Sequence, residues 1–329
     1  MRIVSLFGVF VIILCGLCRP VSAQINKDYS FSLCPQFGLV SGHVEEIVYP
    51  TTTKAPMLSL LLWDMKPVFY YGFLMDFSPV KPMEKWGFFS GLSLKFGIPG
   101  PSGRMEDKDW LSDENTELTC YSIHDNITKE IFLLDYSAGV SFPFFNILLV
   151  KTFINISYML FRFNGENGHG FYPWRNPPEK IFNGKVISYR QEWFHAAPGV
   201  SLGFSYKEYF LVEISFMATP LVISAGLDEH KYKEDYEHKY EEKIVQYRDR
   251  MKGGVMLEPG FKFFVPVTRR MGVSWEISWR YINGTRGDSY ERAANTGEPI
   301  GSGIDVLSAN EAGSGLSILN TALLFKVRL

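Results

Sequence analysis

Hydrophobic and polar residues alternate with a period of two along most of this chain. Near the carboxyl end, Val273, Trp275, Ile277, Trp279 and Tyr281 alternate with small and charged residues. Because successive side chains of a strand point to opposite faces, this spacing predicts strands with one apolar and one polar face. The same spacing recurs about ten times along the chain, which predicts an all-β fold.

The predicted strands are long, and several have about twice the ~10 residues that cross a bilayer. Short connections alternate with long ones, a pattern typical of barrels with short periplasmic turns and long external loops. We therefore expect a ten-stranded antiparallel transmembrane β-barrel with long extracellular loops and both termini on the periplasmic side. The predicted strands are 28–49, 57–77, 84–97, 127–142, 147–163, 185–206, 209–225, 251–265, 271–284 and 315–329.

The first residues have the features of a secretory signal peptide. Arg2 provides the positive charge, residues 4–17 are largely apolar, and Val-Ser-Ala at 21–23 is a small-residue cleavage motif. We expect residues 1–23 to be removed, and residues 24–329 to form a single outer-membrane barrel domain.

Composition narrows the class of protein further. Aromatic residues make up 16% of the chain, and no mature stretch reaches ~18 consecutive apolar residues, which favours crossing by strands over helices. The net charge of −2 gives no indication of a nucleic-acid partner. Two cysteines, Cys34 and Cys120, follow the predicted signal peptide, and the sequence leaves open whether they form a disulfide bond. No metal-ligand spacing is present, so we expect neither a metal nor another cofactor.

Two acidic motifs lie in the predicted long loops. Asp107 and Asp109 are two residues apart, and so are Asp228 and His230, so each pair shares a face where the chain is extended. A histidine can act as a general base that a carboxylate orients and stabilises, while a second carboxylate pair can hold water and shuttle a proton. On spacing alone, however, a solvated charge run is the simpler interpretation.

The order of several short motifs resembles that of the omptins, endopeptidases of the outer membrane of Gram-negative bacteria. The resemblance covers nearly the whole mature chain and implies a barrel that cleaves peptide or protein substrates at its extracellular rim. It is carried by Ser41-Gly42 before Glu46 and Val48-Tyr49, Trp63, Asp107-Lys108-Asp109-Trp110, Ser122-x-His124, Tyr189-x-Gln191 and Asp228-Glu229-His230.

The resemblance also implies roles for individual residues at the rim. Asp228 and His230 would form the catalytic dyad. Asp107 and Asp109 would form the opposing pair, with the attacking water between the two.

The same resemblance implies a pocket for the P1 side chain, which belongs to the residue just before the cleaved bond. Glu46 matches a carboxylate that binds a basic P1 residue, but Gly226 stands where the family has a second one. Cys120 stands at the position of another acidic subsite residue. From this we predict a weakened preference for basic P1 residues, space for bulkier or uncharged ones, and a gain of basic selectivity in Gly226→Asp.

Omptins also depend on lipopolysaccharide bound to the barrel exterior. Arg162 and Tyr158 match positions of that lipid site, whereas Glu192 stands where a second basic residue is expected. The resemblance therefore implies contact with outer-membrane lipid, and it leaves open whether lipopolysaccharide or another lipid is required.

Three other functions remain open at this point. A catalytically inactive omptin-like barrel, acting as an adhesin or a structural outer-membrane protein, is mildly favoured by Gly226. A small diffusion channel is disfavoured, because charged lumen positions such as Glu276, Arg280 and Lys326 can pair across the interior and close it. A lipid-modifying enzyme has the least support, since the sequence shows no legible Ser–His–Asp arrangement.

Overall fold

The computed structural model describes residues 28–50, 57–111, 117–145, 147–206, 209–236, 239–268, 270–295 and 306–328. The predicted signal peptide lies outside the described residues. No helix in the described ranges is long and apolar enough to span a membrane. The strands of the described residues are β1 (Tyr29–Val48), β2 (Ser59–Pro79), β3 (Gly87–Gly97), β4 (Gly100–Asp109), β5 (Cys120–Phe144), β6 (Leu148–Phe171), β7 (Glu179–Tyr206), β8 (Phe210–Thr219), β9 (Val222–Tyr236), β10 (Lys239–Lys252), β11 (Val255–Pro266), β12 (Met271–Asn295) and β13 (Val306–Arg328).

These strands form a closed antiparallel ring with ten positions. We call each position a stave, because some positions contain two consecutive strands rather than one. The ring closes because β1 pairs with β2 on one side and with β13 on the other, as in the register of Gln36 with Leu324. Three staves contain two strands each, namely β3 with β4, β8 with β9 and β10 with β11. The predicted ten-stranded barrel is therefore confirmed, with the described chain ends at one rim and the two acidic motifs towards the other.

Proline and glycine divide the three composite staves. Pro99 separates β3 from β4, and Pro220 separates β8 from β9. Proline has no N–H for the ladder, so it interrupts strand pairing. Gly253 and Gly254 separate β10 from β11 with φ of 80° and 82°, a conformation that favours glycine. Each break divides one position of the ring into a lower and an upper strand.

The apolar face of the strands points outward and the polar face points into the barrel. Trp275 and Trp279 are 44% and 43% exposed, whereas Ser274 and Arg280 on the same strand are buried. An outward apolar band with aromatic residues is what a lipid bilayer requires of a barrel. Towards the upper rim the band ends near Phe37 on β1, Phe69 on β2 and Ile223 on β9.

The sequence pattern assigned too much of the upper barrel to loops. Residues 98–126, 164–184, 226–250 and 285–314 were expected to be loops, but strands continue through most of each range. The dyad therefore lies within β9 and the aspartate pair lies at the end of β4. Above the bilayer both faces of a strand meet polar surroundings, so the alternation fades while the backbone ladder continues.

The lumen is filled at mid-height by aromatic side chains. Trp63 stacks on Phe163 and on Tyr189, with ring centroids 5.7 and 5.4 Å apart, and Phe161 meets Trp193 edge to face at 5.7 Å. All five rings are at most 1% exposed. This layer forms the floor of the upper lumen.

Below the aromatic layer, charged side chains pair inside the barrel. Arg280 of β12 reaches across to Asp135 of β5 at 2.8 Å and also contacts Glu258, while Glu276 pairs with Lys262 and Lys326 with Asp76, both at 2.7 Å. The predicted pairing of Glu276, Arg280 and Lys326 is confirmed, but of these pairs only that of Arg280 with Asp135 crosses the interior; the others join adjacent or next-but-one strands. Together with the aromatic layer, these pairs oppose an open channel.

Candidate active site

Strand β9 carries the Asp–His pair on the lumen side of the upper barrel. Asp228 is 2% exposed, and its Oδ2 is hydrogen-bonded to Nε2 of His230. Their two-residue spacing in a strand gives both side chains the same face, as the sequence predicted. The imidazole also meets the ring of Tyr247 edge to face, with centroids 5.6 Å apart. These contacts hold the imidazole in one orientation.

The charge state of His230 depends on two opposing effects. Burial is the largest single effect and lowers its pKa by disfavouring the imidazolium, but the charge and hydrogen bond of Asp228, together with the more distant carboxylates, outweigh it. The net pKa of His230 is therefore above its ordinary value. The charges of Asp107 and Asp109 act in the same upward direction.

Strand β4 carries the second carboxylate pair. Asp109 Oδ2 accepts a hydrogen bond from the thiol of Cys120 at 3.1 Å, and Asp107 interacts with the hydroxyl of Ser59. Burial and the neighbouring charge of Asp109 raise the pKa of Asp107 to about 7. One proton can therefore reside on this pair near neutral pH.

The two pairs face the same space from well-separated staves. The third stave contains β4 and the seventh contains β9, so they stand on opposite sides of a ten-stave ring. The charges of Asp228 and His230 both contribute to the pKa shift of Asp107, so the two pairs interact electrostatically across the lumen. An Asp–His pair and a carboxylate pair thus face each other across the upper lumen.

Glu46 adds another carboxylate to this acidic site, from strand β1. It pairs with Leu61 of β2, and Leu61 in turn pairs with Asp107 of β4, so Glu46 and Asp107 lie at one height. Glu46 is 4% exposed, and its Oε2 has no hydrogen-bond partner among the described residues. Burial raises its pKa well above the ordinary value, and the charges of Asp228, Asp249 and Asp107 add to the shift.

Gly226 does not leave the space that the sequence suggested. A Cβ atom placed on Gly226 would lie 3.2 Å from Asp249 Oδ2 and 3.2 Å from Gln191 Oε1, which is tight for a carbon atom. The open space that the sequence suggested at this position is therefore largely taken up, while the choice of P1 residue stays a prediction. The neighbouring strands β7 and β10 already fill it with polar side chains.

Three residues at the site were not identified as functional candidates from the sequence. Asp249 was assigned to a loop, and its position depends on the β9–β10 register that places it opposite Gly226. Tyr189 and Gln191 were noted only as a motif; here the Tyr189 hydroxyl donates to Gln191 Oε1 beneath the acidic cluster. The signal that could have located Asp249 is the alternation of residues 245–251, read as a strand.

Cys34 and Cys120, whose pairing the sequence left open, are both free thiols. Ser122 and His124 of the Ser-x-His motif form their own hydrogen bond at 2.8 Å, and His124 Nδ1 contacts the Asn167 carbonyl oxygen at 2.5 Å. Burial lowers the pKa of His124, so its neutral form links β5 to the β6–β7 hairpin.

The residues matched to a lipid site, Tyr158 and Arg162, share the outer face of β6, the fifth stave. Arg162 is paired with Glu130 at 3.4 Å, and the Tyr158 hydroxyl donates to Glu192 at 2.7 Å. Glu192 also pairs with Arg190 at 2.7 Å. The structure therefore brings Arg162 and Tyr158 onto one surface, where each contacts a carboxylate.

No group of three or more His, Cys, Asp or Glu side chains in the described part of the chain could hold a metal ion.

Comparison with known proteins supports both fold and family. The sequence profile of the omptin family matches residues 27–319. The plasminogen activator of Yersinia pestis is 23% identical over 319 residues, which cover 92% of this chain and 93% of that protein. The crystal structure of the outer membrane protease OmpT from Escherichia coli superposes with a TM-score of 0.77 at 18% identity, covering 91% of this chain and 97% of that one.

Proposed function

Because this chain belongs to the omptin family, whose profile matches most of its length, we propose that it is an endopeptidase of the outer membrane. Its substrates are peptides or proteins that enter the barrel mouth from outside. The observation that carries the proposal is the Asp228–His230 pair, which faces a second carboxylate pair across the lumen. The fold and the family place the barrel itself in the outer membrane.

In this proposal His230 is the general base. Its Nε2–H donates to the Asp228 carboxylate, so Nδ1 carries the lone pair that takes a proton from the attacking water. The water oxygen then bonds to the carbonyl carbon of the scissile peptide. Asp228 stabilises the imidazolium that forms.

The opposite wall supplies the acid. Asp107, with a pKa near 7, can hold a proton at neutral pH and deliver it to the leaving amine when the C–N bond breaks. Asp109 remains available as an acceptor that positions the water, with the Cys120 thiol holding its carboxylate. The acyl segment keeps the hydroxyl group of the water and the leaving amine keeps the proton from Asp107. The water proton held by His230 then passes through solvent to Asp107, which restores both groups for the next turnover.

The test compares His230→Ala with His43→Ala in purified, folded protein on a peptide library. His43 lies on β1 but points away from the lumen, where it contacts Glu45 at 3.1 Å. Loss of the general base should lower the cleavage rate by about 10²–10⁴ in His230→Ala, and His43→Ala should retain the parental rate.

An inactive barrel acting as an adhesin or a structural protein predicts a different result. Parent, His230→Ala and His43→Ala would then all leave every peptide of the library intact, although each migrates as a folded barrel. Equal cleavage by both variants would instead exclude the Asp228–His230 dyad as the catalytic pair.

A further inference from the structure

The strands β7 and β9 separate directly above the proposed general base. Their ladder ends at the pair of Ile187 with His230. Above this pair, β9 continues beside β10 as far as Tyr236, and β7 continues beside β6 up to Glu179. In the described ranges no pair joins β7 to β9 above His230. The wall of the barrel mouth therefore divides into two hairpins at the height of the dyad.

The upper part of β7 has backbone groups that its partner strand β6 does not use. The Tyr172 N–H donates to the Pro178 carbonyl oxygen at 2.8 Å, which sets the phase of this ladder. Hydrogen-bonded and non-hydrogen-bonded pairs alternate in an antiparallel ladder, so the N–H and C=O groups of Glu179 and Ile181 turn away from β6. Among the described residues no strand pairs with β7 on that side. The result is an open strand edge with two donors and two acceptors.

The side chains around this edge hold it in place. The ring of Phe182 meets the imidazole of His124 edge to face, with centroids 4.8 Å apart, and it meets the ring of Tyr172 in the same way at 6.4 Å. Lys180 Nζ lies over the Phe182 ring, 4.5 Å from its centroid. The next side chain, Ile181, is on the outer face and is 78% exposed. A peptide would therefore meet a pre-formed edge with an apolar side chain beside it.

The direction of β7 decides which part of a substrate could follow this edge. β7 runs from the upper rim towards the periplasmic end, so an antiparallel partner runs upward, away from His230. The segment of the substrate that follows the cleaved bond therefore has the required direction. A strand rises ~3.3 Å per residue, so Ile181 lies on the order of 20 Å above Ile187, or roughly six residues of extended peptide.

We propose that the upper edge of β7 binds the substrate as an added antiparallel strand, through the segment that follows the cleaved bond. Main-chain hydrogen bonds of this kind recognise an extended conformation, and side chains beside them add selectivity. An apolar residue of the substrate opposite Ile181 gains a cross-strand contact. The substrate class is therefore proteins with a long unfolded or extended segment after the cleaved bond. The inference rests on the proposed peptidase function and deepens it.

The first experiment varies the length of the substrate beyond the cleaved bond. Peptides that end about three residues after the bond are compared with peptides that continue for about ten. The longer peptides should have a kcat/KM about tenfold higher, mainly through a lower KM, because the added contacts are far from the reacting atoms. Single N-methylation along the extension should lower this gain by about 3- to 10-fold at every second residue and leave the residues between them unaffected.

A pair of variants tests the same edge from the side of the protein. Ile181→Pro removes an N–H that faces the edge and leaves the ladder to β6 intact, since that N–H does not point to β6. It should lower the kcat/KM of the long peptides by about 3- to 10-fold and leave that of the short peptides unchanged. Ile181→Thr is the matched control, because it keeps the N–H and a β-branched side chain. It should retain most of the advantage of the long peptides.

A binding measurement separates this inference from the proposed function. Calorimetry with the long and short peptides on folded His230→Ala requires no turnover. Binding that depends on length and on alternate N–H groups, in a protein whose parent cleaves no peptide, would support the edge and contradict the peptidase. Cleavage by the parent that is independent of both length and N-methylation would overturn the edge and leave the peptidase intact. A dimer of the parent that Ile181→Pro dissociates would assign the edge to a second copy of the chain and would also overturn the proposal.

Discussion

The upper and lower parts of the barrel interior contain the same kinds of carboxylate but partner them differently. Below the aromatic layer, Asp135 pairs with Arg280 at 2.8 Å and Glu213 with Lys151 at 2.6 Å. Above it, no lysine or arginine of the described chain forms an ion pair with Glu46, Asp107 or Asp249. A buried charge with a partner supports the fold, whereas a buried charge without one is typical of a functional site.

The same barrel interior therefore contains carboxylates in two different electrostatic environments, one below the aromatic layer and one above it. Both sets of side chains alternate into the same lumen from the same staves. The lower pairs fix the staves to one another and close the interior. Among the described residues, the upper carboxylates have acceptor atoms without a hydrogen-bond partner, such as Oε2 of Glu46 and Oδ1 of Asp249.

The largest expected effect follows from breaking the lower network. Arg280→Met leaves the carboxylates of Asp135 and Glu258 buried without their common partner, so it should lower the free energy of unfolding by about 3–5 kcal/mol. Denaturant unfolding of the refolded barrel measures this loss. Arg162→Met is the control, because its exposed pair with Glu130 contributes at most about 1 kcal/mol. Equal stability of the two variants would contradict the comparison.

The opposite result is expected in the upper site, where neutralising a carboxylate should stabilise the fold. The pKa of Asp249 is about 6 in the folded protein, against ~3.9 for an unperturbed aspartate, so the folded state binds the proton more tightly. Its contribution to stability is therefore present below about pH 4 and is lost as pH rises through 6. Asp249→Asn should be more stable than the parent by on the order of 3 kcal/mol at pH 7.

The pH dependence makes this second prediction specific. The advantage of Asp249→Asn should disappear as pH falls from 7 to 4, because the parent carboxyl is then protonated as well. Unfolding curves of both proteins at three pH values provide the measurement. An advantage that is the same at all pH values would assign the effect to packing and would contradict the electrostatic account.

How much of this the sequence could predict depends on where the strands run. In the lipid-facing part, the alternation around Trp275 and Trp279 was enough to predict the strand, its apolar face and the orientation of that face towards the lipid. This works because the bilayer and the lumen require side chains of opposite polarity. Motif order likewise indicated Asp107, Asp109, Asp228 and His230, and the structure gathers them at one cleft.

Asp249 could not be found in this way. The alternation of residues 245–251 is enough to suggest a strand, but the register that places Asp249 opposite Gly226 depends on which strand it pairs with, and the residue pattern does not show that. Matching the chain to a family motif residue by residue identifies the glycine at 226. It does not identify the Asp249 carboxylate of the partner strand, which lies against that glycine. Which carboxylates line the upper lumen therefore depends on strand pairing and not on the order of residues in the motif.

A smaller effect is expected at Cys120, where a thiol rather than a cation partners a carboxylate of the upper site. Its hydrogen bond to Asp109 holds that carboxylate towards the proposed water. Cys120→Ala should lower kcat by about tenfold with little change in KM, in keeping with the loss of one hydrogen bond to a charged group, and Cys120→Ser should restore most of it. If alanine and serine at this position give the same kcat, Cys120 has no positioning role.

The smallest effect is expected on the outer face, where charges are paired but exposed. Arg162 and Arg190 already contact Glu130 and Glu192, so a lipid phosphate must displace a carboxylate to reach either guanidinium. We therefore expect lipopolysaccharide to change the activity of the detergent-refolded parent by less than about fivefold, since exposed ion pairs contribute roughly 1 kcal/mol at most. Glu192→Lys removes the competing carboxylate and adds a cation, so its activity should respond more strongly to the same lipid. Titrating both proteins with lipopolysaccharide decides the question: a parent that is inactive until the lipid is added would mean that the phosphate displaces Glu130 and Glu192 readily, and that exterior pairing does not weaken the lipid site.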